Sequence, residues 1–586
     1  MLTVSAPSFP ADFGGQSMRR TARIVPVIAA ISLTATVVVA CGSDKQTKVL
    51  TYGEGTTFTK NLFPLITAGN VTSAANILGR VLDGAFRIAP NVTYQQDSDQ
   101  ITSAESTMVN GQQVVRIKIN PKAVWDDGQP ITSADYVFTL DAQKSLDPAQ
   151  GGCASLLSDV GFNQVESHQI VNDKEFTFTF IKDQAFADWR GLFSGASGSA
   201  PLLAKHVFDK GSPKANCDYM TAGWPIADGI PDGASNGPWL VKKANINVDS
   251  KTVTLVHNPK YWGVKPKLDR IVYANIGSES DVVVKALKNH EVNMAYPQPQ
   301  IDLISNLKKL EGFTTSISFG PQFEHLDFNT RNPLLAIKEV RQAIAYGIDR
   351  PSLVKATLAQ FSDQASVLGN RLLVTNQAGY QNNGADYDKQ DTGKATSLLE
   401  GLGAKKGTDG IYVLKGKPLN FKITTTSGNP LRDTTVQIIK QQLQPIGIGI
   451  TENATDDIFE DKTHPQSLEA GGFDLALFAW SAGPNLSANN SIYQSLDAQG
   501  GTQGQNYTHG GDPKVDSLLT EMAQADTVAK EIEFANKADQ GLWSDMFTLP
   551  LFQKPTVLSF DNKYTGISDN STQAGPLWNN DMFAVK

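Results

Sequence analysis

Three carboxylates crowd the stretch V-W-D-D-G-Q-P-I-T-S-A-D-Y-V-F: Asp126 and Asp127 are adjacent, and Asp135 follows close behind. Acids clustered like this hold divalent cations through oxygen, or move protons between groups of matched pKa. The spacing fits neither use. A calcium loop sets its acids at alternate positions before a glycine, whereas Asp126 and Asp127 abut Gly128 directly. Each carboxylate has a local backbone task instead. Asp127-Gly128 is a tight-turn dipeptide, because glycine tolerates the positive φ such a turn needs. Thr132 and Asp135 form a Thr-x-x-Asp capping box in front of Y-V-F-T-L.

A second motif, Gly233-Ala234-Ser235-Asn236-Gly237, has the G-x-S-x-G form of a hydrolase nucleophile elbow. An elbow follows a strand and opens a helix, but this one lies in a loop that runs into Pro238. Ser235 therefore reads as part of a turn. The seven histidines, at 168, 206, 257, 290, 325, 464 and 509, are scattered and form no H-E-x-x-H pair. No phosphate-binding G-x-x-x-x-G-K-S/T loop is present, so any ATP hydrolysis belongs to a partner. No catalytic residue, metal site or cofactor is expected.

The bulk numbers agree. A net charge of -8 argues against a nucleic-acid surface, which needs clustered Lys and Arg. At 586 residues, 40% of them hydrophobic, the chain is long enough for two or three domains. The N-terminus is distinctive. Arg19, Arg20 and Arg23 precede an uncharged apolar run from Ile24 to Ala40, and Cys41 follows. This reads as an export signal over residues 1–40, with Met18 the better start. V-V-A-C resembles a bacterial lipobox, which makes Cys41 the lipidated first residue of the mature protein. Two cysteines remain, Cys153 and Cys217. Outside the cytoplasm they form either a disulfide or two buried thiols.

The elements that must position these residues mix strand and helix throughout. Q-V-V-R-I-K-I-N alternates Val115, Ile117 and Ile119 with polar residues, and E-F-T-F-T-F-I repeats the pattern at Phe176, Phe178 and Phe180. K-V-L-T-Y-G-E, V-T-L-V-H-N, R-I-V-Y-A-N-I and F-D-L-A-L-F-A-W are further strands. Helices are expected over N-V-T-S-A-A-N-I-L-G-R-V-L-D-G-A-F-R-I, over A-I-K-E-V-R-Q-A-I-A-Y-G-I-D stopped by Pro351, and over one long run from Val515 to Trp543. The segment from Asn216 to Gly237, rich in Gly, Pro, Asp and Asn, reads as a crossing between domains.

W-D-D-G-Q-P-I-T-S-A-D-Y-V-F closely resembles the signature of the family 5 extracellular solute-binding proteins, the peptide- and nickel-type receptors of ABC transporters. The similarity continues in order through G-P-W-L-V and N-P-K-Y-W-G-V-K-P, H-L-D-F-N-T, V-R-Q-A-I-A-Y-G-I-D-R, Q-L-Q-P-I-G-I-G-I-T, F-D-L-A-L-F-A-W and L-P-L-F. Gly347 stands where alanine is usual. The resemblance implies an α/β, two-lobed periplasmic-binding-protein-like clamp with mixed sheets and a discontinuous first domain. Domain I would be 49–85, 235–318 and 552–586, domain II 86–234, and domain III 319–551.

It also implies a ligand cleft between the lobes, lined by Gly55, Thr56, Thr57 and Phe58 and by Trp480, Ser481, Ala482, Gly483 and Asn485. Many peptide-binding relatives carry an Asp three residues after this tryptophan, for the peptide's α-ammonium group; here the position is Gly483. The function implied is the substrate-binding lipoprotein of an ABC importer, a monomer on the outer face of the cytoplasmic membrane. It would hold the membrane by its lipid anchor only and deliver an oligopeptide or peptide-like solute to permease and ATPase subunits. The alternative is a lipoprotein of the same fold that regulates cell-envelope biosynthesis without transport.

Overall fold

The computed structural model describes residues 47–586 except 57, 199, 360, 460–462, 482 and 500–503. The signal segment, Cys41, Thr57 and Ala482 lie outside the described residues. Two long strands, Phe313–Phe328 and Thr548–Asp561, pair antiparallel and form a spine. An eleven-stranded sheet grows from both of its edges, its eleventh strand, Ile246–Asn247, pairing off the main path with Thr252–His257. Beyond Phe313–Phe328 come Leu475–Ser481, Asn420–Thr426 and Gly449–Thr455; beyond Thr548–Asp561 come Met294–Ala295, Val49–Glu54, Arg270–Asn275, Thr252–His257 and Trp239–Leu240. Val49–Glu54 runs parallel to Arg270–Asn275, and Asn420–Thr426 runs parallel to Gly449–Thr455. Parallel neighbours need a crossover, and the helix Pro430–Leu443 supplies the second one.

A separate four-stranded antiparallel sheet orders Ile101–Val109, Gln112–Ile119, Glu175–Phe180 and Val165–Asn172. The two alternating runs pair with one another, Val115 opposite Phe178 and Ile117 opposite Phe176. All six of their apolar inward residues are buried, which is what a period of two does when one face is covered. The helix Ser133–Ala142 supplies that cover, with Tyr136 lying 5.0 Å from both Phe176 and Phe193.

The opening acids are structural. Thr132 and Asp135 make a reciprocal capping box, and Gly128 takes φ 95°. Asp127 accepts the Gln129 N–H at 2.9 Å and faces His206 Nε2 at 3.0 Å. Asp126 departs from the local role expected of it. Its buried carboxylate accepts the N–H groups of Gly233 and Ser235 at 2.9 and 3.0 Å and pairs with Lys242 at 2.6 Å. It thus fastens the G-x-S-x-G segment as a loop, with Ser235 fully buried.

Other elements differ from the sequence reading in ways with clear causes. The first helix is only Thr72–Leu78. After it the chain turns so that the buried Arg80 meets Asp83, Asp97 and Asp581. Pro351 opens a new helix, Arg350–Thr357, capped by Asp349, as suits a residue with preset φ and no N–H. The long run after Val515 divides into Pro513–Ala523 and Val528–Asp545, the second capped by Thr527. The start of the expected crossing is helical, Pro213–Ala222, and its Cys217 is disulfide-bonded to Cys153. Among the described residues no helix is long and apolar enough to cross a membrane.

Candidate functional site

The spine strands are out of step at one place, and a cavity lies there. Phe319 is opposite Pro555 and Phe323 is opposite Gln553, so residues 320–322 of one strand face the single residue Lys554 of the other. The local sequence Gly320-Pro321-Gln322 accounts for this bulge. A Cβ on Gly320 would come within 2.4 Å of the Ser571 carbonyl oxygen, and Pro321 has no N–H to give a ladder. Gln553 holds the bulge by donating to the Gly320 carbonyl at 2.8 Å.

The cavity has a volume of about 270 Å³. Its lining brings together the end of Val49–Glu54 with Thr56, the helix residues Thr72 and Asn76, Gln322, Ser481 and Lys554, and Tyr296 with the segment Ser571–Gln573. Glu54 is buried and fully engaged: it accepts from the Thr56 N–H at 2.9 Å, Asn76 Nδ2 at 2.8 Å and the Tyr52 hydroxyl at 3.4 Å. The Thr56 hydroxyl is buried with no hydrogen-bond partner among the described residues. Arg432 grips the buried Glu324 with contacts of 3.0 and 3.1 Å. Lys554 stands next to that pair. Burial pushes its ammonium pKa below the ordinary lysine value, against the opposing pull of Glu324.

Of the residues expected at a ligand, Thr56 and Ser481 line one and the same cavity. Gly55 is half-buried at the strand end, and Phe58 packs 6.4 Å from Tyr273. Trp480 is half-buried in a parallel stack, 5.9 Å from His325 on one side and 5.9 Å from Tyr507 on the other. Gly483 faces open space: a Cβ there would meet only the Asn485 nitrogen, at 3.9 Å. Asn485 spends its side-chain oxygen locally, on the Ser487 hydroxyl at 2.7 Å and the Ala488 N–H at 3.3 Å. The sequence reading missed Glu54, Gln322 and Lys554. Lys554 did leave a signal, a charge embedded in the apolar strand L-P-L-F-Q-K-P.

Beside Asn485 a second contact joins distant parts of the chain. Asp188 accepts the Leu486 N–H at 2.9 Å and lies against Glu531, both carboxyls buried. Burial and mutual repulsion push Glu531 well above the ordinary carboxylate range, and burial raises Asp188 to about 6. Arg190 and Tyr94 are the other titratable groups around this pair. A raised carboxyl binds more protons in the folded chain than in the unfolded one, so its contribution is complete below about pH 4. That contribution is lost as pH rises through about 6 for Asp188, by up to roughly 1.4 kcal/mol for each pH unit crossed. Glu531→Gln should therefore flatten the loss of thermal stability as pH rises from about 4 to about 6 that calorimetry reads in the wild type. Parallel profiles for the two proteins would contradict this.

The comparisons with known proteins converge. The sequence profile of bacterial extracellular solute-binding proteins, family 5 Middle, matches residues 102–503. The oligopeptide-binding protein OppA of Mycobacterium tuberculosis is 29% identical over 516 residues, covering 86% of this chain and 80% of OppA. An uncharacterized lipoprotein of the same species is 22% identical over 97% of this chain and 98% of its own length. Among solved structures, the periplasmic EDTA-binding protein EppA superposes with a TM-score of 0.81 at 23% identity, covering 94% of this chain and 99% of EppA. AppA of Bacillus subtilis, in complex with a nonapeptide, superposes with a TM-score of 0.70 at 17% identity, covering 92% and 99%. A signature motif whose acids serve only the fold, a cavity at the slip between two spine strands, and a profile match over most of the length agree: this chain belongs to the bacterial extracellular solute-binding proteins of family 5, which are binding proteins rather than enzymes.

Proposed function

We propose that this protein is the solute-capturing component of an ABC importer, tethered by a lipid on Cys41 to the outer face of the cytoplasmic membrane. It takes an oligopeptide or peptide-like solute into the cavity beside Lys554 and hands it to a permease. The observation that carries this reading is that Thr56 and Ser481, distant in sequence, line a single cavity at the bulge of the spine. Exposed strand ends of this kind read peptide main chain by hydrogen bonding, with side chains left to pockets. Lobes joined by a few strands close on their ligand by a hinge, and the names of OppA and AppA, both oligopeptide-binding proteins, support the solute class.

Deletion of the gene is expected to abolish uptake of a peptide-like solute, the same one that native mass spectrometry finds bound to the purified protein. Normal uptake together with altered cell-wall lipids would overturn the transport reading in favour of a regulatory lipoprotein.

A further inference from the structure

We infer that Lys554 selects the charge of the captured solute: its ammonium binds an anionic group, so a ligand ending in a carboxylate is preferred over the corresponding neutral amide. This rests on the cavity reading above and deepens it. Lys554 sits on the cavity wall at the strand slip, half-buried, with Gln322 and Ser481 beside it. Among the described residues it has neither an ion-pair nor a hydrogen-bond partner, in contrast to Lys242, which has two aspartates within 2.8 Å.

Two acids near it are already engaged: Glu324 is held by Arg432 on both oxygens, and Glu54 takes three donors. A cation taken partly out of water with no counter-ion is costly unless something else supplies the charge. The Arg432 guanidinium adds to that cost from behind, and burial has already lowered the Lys554 pKa. An incoming carboxylate removes both penalties together. The amide of Gln322 and the hydroxyl of Ser481 line the same cavity, placed to hydrogen-bond it.

Titration calorimetry with the full-length protein tests this, using acetyl-trialanine with a free carboxylate and its amide as matched probes. The acid is expected to bind about tenfold tighter than the amide. Lys554→Gln should abolish the preference and Lys554→Arg should retain it. A readout that needs no variant is acetylation of Lys554 by acetic anhydride, followed by peptide mass spectrometry, which acetyl-trialanine should slow and its amide should not. Equal affinity of the wild type for the two probes, or a preference that survives in Lys554→Gln, overturns the inference and leaves the cavity reading standing. Failure of both probes to bind the wild type overturns the peptide-capture reading and this inference with it.

Discussion

Gly483→Asp is expected to tighten binding of unmodified trialanine by about a hundredfold, within the range measured for close charge pairs at interfaces, while binding of acetyl-trialanine stays nearly unchanged. The wild type should bind the unmodified peptide more weakly than micromolar. A buried ammonium needs a carboxylate partner, and the position at which the family resemblance would place one holds glycine here. The neighbour able to help, Asn485, has committed its oxygen to Ser487 and Ala488. Space is not the obstacle. A side chain at Gly483 enters an open region, with its nearest contact at 3.9 Å. Calorimetry on both proteins with both peptides decides the matter. Sub-micromolar binding of trialanine by the wild type would show that another acid already anchors the ammonium group.

The largest stability effect is expected from Asp539→Ala, a loss of about 3–5 kcal/mol. Arg371 and Asp539 are both fully buried, with Nη1 and Oδ1 3.0 Å apart. The guanidinium also donates from Nε to the Thr548 carbonyl at 3.1 Å and lies 4.2 Å from the Trp543 ring. Removal of the carboxylate strands a cation in the core, where its desolvation is uncompensated. Burial raises the Asp539 carboxyl above its ordinary pKa even with Arg371 beside it, so the pair itself stabilises little. The double variant Arg371→Met/Asp539→Leu should therefore recover most of the loss. Urea unfolding measures both; a loss under about 1 kcal/mol in the single variant would contradict the picture.

Much of the fold is legible in the sequence because it depends on short-range rules. Period-two alternation identifies Val115, Ile117, Ile119 and their phenylalanine partners as one buried face. The capping box at Thr132 and Asp135 forms as its spacing predicts. Element ends are less legible, because partners distant in sequence set them. The first helix stops at Leu78, where Arg80 turns inward to acids as far away as Asp581. Asp126 reads as a turn residue, yet it holds a loop more than a hundred residues on.

The site divides along the same line. Sequence alone determined the order of motifs, and with it the family, the absence of catalytic constellations and the lack of a carboxylate at position 483. Each of these is a property of residue types at fixed spacing along the chain. Only the tertiary structure decided that Thr56 and Ser481 line one cavity, that Asn485 is already occupied, and that Lys554 stands at a strand slip with Glu324 already held by Arg432. Register between strands over two hundred residues apart, and the competition of many donors for few carboxylates, are set when the chain packs and leave almost no trace in local sequence.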